Sequence, residues 1–212
     1  MFCSEQIDWA ATGAMLGGIG SILSASAILV GSVAAFRSFA LWRKQQLRKE
    51  KRDWAFDALA LLYQAEDIFV SVRSPFMSGA ELSNASKVLD ASDADSFDHH
   101  PGRPSRGDFE VRQAYINRVN SHQGFWKKIV EMLPKAKVLF GEELVRLLRI
   151  PLGVRAEIIA SADSFGSDDP EFQKSLEKVL FGKSDDEIFN KIISTRRDAE
   201  SLLRDYIELK KG

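Results

Sequence analysis

The hydrophobic pattern of the chain opens with one long run that carries no charge. The run extends from Trp9 to Phe36, 28 residues between Asp8 and Arg37. A helix needs about 20 mainly apolar residues to cross the hydrocarbon of a bilayer. In lipid the backbone must satisfy its own hydrogen bonds, so such a run is helical. The pattern therefore predicts a transmembrane helix over residues 9–36.

A cleaved export signal is the main rival for this run. Such signals start with basic residues and have an apolar core of only about 7–15 residues. Here residues 1–8 include Glu5 and Asp8 and no basic residue. These flanks favour an uncleaved anchor, with a buried helix of a soluble protein or an unusual export signal as the alternatives.

Basic residues follow the run and predict its orientation. Lys and Arg next to a span stay on the cytoplasmic side. We therefore expect residues 1–8 outside the cell, the rest of the chain in the cytoplasm, and the anchor in the cell inner membrane. The basic residues of 43–52 could also lie against anionic headgroups, but the favoured interpretation is that these charges only fix the topology and solvate the helix. The cluster consists of Arg37, Arg43, Lys44, Arg48, Lys49, Lys51 and Arg52.

Small residues recur at helical spacing within the predicted span. Small residues four positions apart let two helices approach closely and gain dispersion contacts. The alternative is that Gly, Ala and Ser are simply frequent in a weakly apolar span. We expect this face to support self-association. Its residues are Gly13, Gly17 and Ser21, with Gly20 and Ser24 repeating the spacing.

Beyond the span, the apolar positions have a helical period. Residues 37–74 predict a basic helical stalk, with one apolar face formed by Ala58, Leu62, Ala65, Phe69 and Val72. Residues 75–107 predict a mobile loop rich in Ser, Asp and Pro, with a short helix near 79–90. Residues 108–212 predict a helical domain, and its first helices are expected at 108–133 and, after Pro134, at 136–164. A break is expected at Gly141 and a kink at Pro151.

Two helix starts are predicted near the C-terminus. Asp169 followed by Pro170 predicts a short helix that reaches about Phe181. Ser184 and Glu187 match a capping box. The last helix has one 4–3 face, formed by Ile188, Ile192, Thr195, Ala199, Leu202, Tyr206 and Leu209. The predicted fold class is all-α: one transmembrane helix that continues into a stalk, then a cytoplasmic bundle of four or five helices.

Composition excludes several protein classes. The formal net charge is -1, which argues against a nucleic-acid-binding protein. Cys3 is the single cysteine, so an intramolecular disulfide cannot form and a cysteine-rich zinc site lacks ligands.

Each motif that could indicate a catalytic or ligand-binding site departs from the pattern that such a site needs. Gly182-Lys183-Ser184 resembles the end of a phosphate-binding loop, but Glu177 stands where the pattern needs glycine. His122 lies on an apolar stripe, where a structural histidine is expected. Acidic residues and two histidines between 90 and 100 fit no calcium-loop pattern and predict a solvated loop. The residues concerned are Asp90, Asp93, Asp95, Asp98, His99 and His100.

Charged pairs on the helices are also given ordinary roles. Glu142 and Glu143 open a helix and complement its dipole. Arg196-Arg197 and Lys210-Lys211 are expected on solvated helix surface. The sequence therefore predicts no catalytic residue, no cofactor, no cofactor-binding residue and no metal ligand.

The favoured function is a membrane-anchored helical interaction or scaffolding protein without catalytic activity. Its expected partners are the lipid bilayer, a second copy through the span and a cytoplasmic protein, but not nucleic acid. An alternative is a membrane-acting effector, a toxin or defence component whose spans cluster to perturb the bilayer. A membrane-tethered enzyme is the weaker alternative. The order of a short acidic N-terminus, one span, a basic stalk and a helical domain resembles that of many bacterial single-span membrane proteins. This resemblance concerns architecture alone and transfers no residue roles.

Overall fold

The structure, a computed structural model, describes residues 9–91, 105–167, 169–182 and 186–208, with no side-chain description for 9–12, 16, 19 and 22. These residues form helices and no strands, so the predicted all-α class is confirmed for them. The helices are α1 Trp9–Val72, α2 Gly79–Ala91, α3 Arg106–Ser121, α4 Gln123–Phe140, α5 Glu142–Asp163, α6 Pro170–Leu180 and α7 Glu187–Ile207.

The chain divides into two compact units, residues 1–50 and 51–212, and each is described by itself. The first unit holds the part of α1 that contains the predicted span. The second unit holds the rest of α1 and the other six described helices. It therefore includes residues 51–74 of the predicted stalk.

The core of the second unit includes one face of α1. Ala58, Leu62, Ala65, Phe69 and Val72 are all buried, so the 4–3 spacing predicted this face correctly. The helix ends at Val72, before Pro75, because the residue before a proline disfavours the helical region.

A short helix, α2, occupies Gly79–Ala91, as the spacing of Leu82, Ala85 and Leu89 predicts. It packs against α3, and Ala85 is buried in that contact. The remainder of the predicted mobile loop, residues 92–104, lies outside the described residues. Ser105 caps α3 and forms a capping box with Asp108.

The prediction of one helix over 108–133 that ends before Pro134 is wrong in two places. The chain bends at His122, between α3 and α4, and Pro134 lies inside α4. The proline removes the amide that would bond to the carbonyl of Val130. Val130 and Pro134 are both exposed, so water can bond to the Val130 carbonyl in place of the missing amide, and the helix continues.

Helix α5 contacts α3, α4, α6 and α7 and provides much of the core. The predicted break before it is confirmed at Gly141, whose φ of 85° favours glycine. Pro151 is buried within α5, which continues through it. Four residues of the predicted face are fully buried, namely Leu144, Leu148, Ile158 and Ala162.

The last two helices begin at aspartates. Asp169 accepts hydrogen bonds from the amides of Glu171 and Phe172, and Pro170 is the first residue of α6, as predicted. Helix α7 is capped by Asp186, so the predicted capping box does not start it. Ser184 lies outside the described residues. The buried face of α7 follows the predicted spacing through Ala199 and then shifts to Leu203.

Candidate functional site

The apolar part of α1 in the first unit is exposed. Large apolar side chains between Met15 and Phe36 are 53–77% exposed, namely Met15, Leu23, Ile28, Leu29, Val30, Val33 and Phe36. Among the described residues, this is the one helix long and apolar enough to cross a membrane, and it lies near the N-terminus. Length and composition alone therefore support the predicted span.

The predicted self-association face is open. A Cβ added to Gly13, Gly17 or Gly20 would meet no heavy atom within 4 Å. The Ser21 hydroxyl donates to the carbonyl of Gly17 at 2.9 Å, so its polar group is satisfied inside the helix. Ser24 is exposed. The face therefore offers small residues and exposed backbone.

The seven basic residues separate into two groups. Arg37, Arg43, Lys44, Arg48 and Lys49 are exposed in the first unit. Lys51 and Arg52 are half-buried in the second unit. The Lys51 ammonium lies 5.6 Å from the centre of the Tyr206 ring, and Arg52 pairs with Asp53 at 3.7 Å. Five cations are therefore presented to the surroundings, while the other two contribute to packing.

An aromatic pair precedes most of these cations. The rings of Phe39 and Trp42 are 5.8 Å apart, and the two side chains are 61% and 56% exposed. Tryptophan has an apolar ring and a polar N–H, and it is enriched where membrane meets water.

The second unit contains a buried arginine that no sequence pattern marks. Arg73 is 4% exposed, and its guanidinium donates to both carboxylate oxygens of Asp186 and to the carbonyls of Lys178 and Val179. Gly182 lies against it, and a Cβ at that position would collide with the Arg73 guanidinium. These contacts tie the end of α1 to the last turn of α6 and to the N-terminus of α7.

A second arginine, Arg118 of α3, organises the turn after α1. It donates to the carbonyls of Ser74 at 2.7 Å and Phe76 at 2.5 Å, and to Glu81 at 2.8 Å. The hydrogen bond from Arg118, together with one from the amide of Ser78, lowers the pKa of Glu81 to about 2. The network fixes the orientation of α2 relative to the end of α1.

Arg196 joins α7 to α1, which corrects the expectation that it lies on solvated surface. Its Nε donates to Glu66 at 2.9 Å, and its Nη1 donates to Glu200 at 2.6 Å. The Tyr63 hydroxyl also donates to Glu200, and this hydrogen bond, with Arg196 adding to it, lowers the pKa of that carboxyl. Arg197 is exposed, as expected.

Tyr115 is the largest fully buried side chain of the described core. Burial raises its pKa to about 12, and its hydroxyl has no hydrogen-bond partner among the described residues. Its ring lies edge-on to Phe181 at 5.9 Å.

The other candidate residues that the structure describes do not converge on a reaction centre. His122 is half-buried at the junction of α3 and α4, where its carbonyl accepts from the amides of Phe125 and Trp126. Glu142 pairs with Lys137, which lowers the pKa of its carboxyl. Asp90 pairs with Arg106.

Several remaining candidates fall in stretches without a structural description. Asp93, Asp95, Asp98, His99, His100, Lys183, Ser184 and Lys210-Lys211 all lie outside the described residues. Within the described ranges, no three metal-binding side chains come together.

Comparison with known proteins adds no relative. No protein-family model, no curated protein and no solved structure matches the chain.

Proposed function

We propose that this protein is a membrane-anchored helical interaction or scaffolding protein without catalytic activity. The observation that carries the proposal is the exposed apolar part of α1. Seven large apolar side chains between Met15 and Phe36 are exposed, and burying each is worth about 1.5–3 kcal/mol. Their sum, about 10–20 kcal/mol, is as large as the whole net stability of a typical domain. A lipid bilayer is the surrounding that recovers this free energy along an entire helix.

The basic residues support the proposed topology. They follow the apolar run, and residues 1–8 contain only acidic charge. By the positive-inside rule, the N-terminus lies outside the inner membrane, and the stalk and helical bundle lie in the cytoplasm.

Self-association and partner binding complete the proposal. The open face of Gly13, Gly17 and Ser21 fits close approach of a second span. Clustering in the membrane would present several copies of the cytoplasmic unit to one protein partner. The experiment for the partner is affinity purification of the full chain from gently solubilised membranes.

Membrane fractionation tests the anchor. The full chain should stay in the membrane pellet through alkaline carbonate and enter the supernatant only with detergent. Changing Ile28 and Leu29 together to Arg should release it, because each charge inside a span costs up to about 3 kcal/mol. Val138→Arg, on an 82% exposed residue of α4, is the matched control and should stay in the pellet. Recovery of the unaltered chain in the supernatant without detergent would refute the anchor.

The same open small-residue face also favours a second candidate, the membrane-acting effector. Induced expression would then collapse the membrane potential, and Gly13→Leu with Gly17→Leu would abolish that effect. Harmless expression together with a specific co-purifying protein would favour the scaffold.

A further inference from the structure

Three exposed cations of the first unit lie on one side of α1. Arg37, Lys44 and Arg48 are spaced by seven and four residues, which places them on one helix face. Arg43 and Lys49 lie about 120° to either side of these three, so the five cations are distributed around this part of the helix. At 1.5 Å per residue, the five cations extend over about 18 Å of helix length.

Two residues locate this cationic segment, residues 37–49, relative to a bilayer surface. Phe39 and Trp42, paired at 5.8 Å and mainly exposed, lie between Arg37 and Arg43. Tryptophan prefers the level of the lipid headgroups. With Trp42 at that level, Arg43 and Lys44 lie within about 3 Å along the axis, and Arg48 and Lys49 within about 11 Å. That range is close to the Debye length of about 8–10 Å at physiological ionic strength.

We infer that residues 37–49 recognise anionic phospholipid headgroups, such as phosphatidylglycerol, and gather these lipids around the anchor. This inference rests on the proposed membrane anchor and adds a lipid class to it. Arginine and lysine donate to phosphate oxygens, and arginine does so through two parallel hydrogen bonds. Each basic residue near an anionic surface strengthens partitioning about fivefold. A role in topology alone would leave the cations indifferent to the headgroup.

The test uses the full chain in liposomes of phosphatidylcholine that contain a minor share of phosphatidylglycerol in both leaflets. Spin-labelled phosphatidylglycerol or phosphatidylcholine, added in traces, reports how strongly each lipid associates with the protein. Equal lipid composition of the leaflets makes the result independent of protein orientation. The unaltered chain should select phosphatidylglycerol about fivefold or more. About 1 M salt should remove the selection, because the Debye length falls to about 3 Å.

Two matched variants assign the effect to the cationic segment. Arg43→Gln, Lys44→Gln, Arg48→Gln and Lys49→Gln together should bring the selectivity close to one. The control changes two arginines and two lysines that are exposed in the second unit, namely Lys128→Gln, Arg146→Gln, Lys174→Gln and Arg197→Gln. It should keep the selectivity.

Three outcomes overturn the inference: no selection by the unaltered chain, selection that survives in the first variant, and equal loss in both variants. Carbonate extraction of the same liposomes is measured alongside. A chain that resists extraction but does not select the anionic lipid refutes this inference and leaves the anchor intact. A chain that is extracted refutes the anchor itself.

Discussion

Arg73 and Asp186 are 113 positions apart in the chain and form a two-point ion pair in the second unit. The same aspartate caps α7 by accepting from the amide of Phe189 at 2.9 Å. One carboxylate therefore satisfies a buried guanidinium at the end of α1 and an unpaired amide at the start of α7. Because Arg73 is only 4% exposed, its loss would leave several acceptors without their donor.

We predict that Arg73→Met lowers the free energy of unfolding of the second unit by about 3 kcal/mol, the usual cost of removing one partner of a buried pair. Urea unfolding of the full chain in detergent, followed by far-ultraviolet circular dichroism, measures the change. Arg197→Met, on an exposed neighbour of Arg196, is the control and should change stability by less than about 0.5 kcal/mol. Equal effects of the two variants would contradict a structural role for the ion pair.

Gly182 provides an independent probe of the same contact. Gly182→Ala places a methyl group against the Arg73 guanidinium and should cost about 1–3 kcal/mol by overpacking. In the Arg73→Met background the cost should shrink, which gives a coupling of at least about 0.5 kcal/mol in a double-mutant cycle. Gly153→Ala is the matched control. No heavy atom lies within 4 Å of its Cβ position, so alanine should stabilise α5 by up to about 1 kcal/mol. Strict additivity would show that Gly182 does not act through Arg73.

Sequence patterns correctly predicted those helix faces and helix starts that depend on residues close together in the chain. The 4–3 spacing from Ala58 to Val72 marks the buried face of α1, because a helix must place apolar residues on the side that faces the core. Asp169 and Pro170 mark the start of α6 because capping involves only adjacent residues.

The misses have two physical origins. The 4–3 pattern continues from Tyr115 to Trp126, so the single-residue bend at His122 leaves no gap in the spacing. Trp126 still packs in the core, and its indole N–H donates to the carbonyl of Val119 at 2.9 Å. The arginine contacts were missed for another reason. Arg73, Arg118 and Arg196 bond to partners far away in sequence, and periodicity carries no record of such pairs.

The pKa of Glu81 predicts a pH dependence of stability. Its ordinary value is 4.5, and the hydrogen bond from Arg118 lowers it to about 2 in the folded chain. A lowered pKa favours the folded state above pH 4.5, and this contribution disappears as the pH falls through about 2. The stability advantage of the unaltered chain over Glu81→Gln should therefore be complete at about pH 6 and should vanish near pH 2.

Unfolding midpoints of both proteins across this range measure the effect of Glu81. Glu177→Gln, on an exposed residue of α6, is the control. A constant difference between the unaltered chain and Glu81→Gln at every pH would show that the carboxylate charge of Glu81 is not involved.

Two adjacent glycines of α1 separate a specific span contact from a general effect of bulk. Gly17 lies on the face that includes Gly13 and Ser21, whereas Gly18 is rotated by about 100° from it. Both positions are open, with no heavy atom within 4 Å of an added Cβ. Gly17→Leu should therefore weaken self-association of the full chain in liposomes about tenfold, equivalent to about 1.4 kcal/mol, and Gly18→Leu should leave it unchanged. Energy transfer between donor- and acceptor-labelled copies, measured against the protein-to-lipid ratio, gives both constants. Equal weakening by the two substitutions would mean that leucine disturbs the span itself, and no weakening by either would exclude this face as the contact.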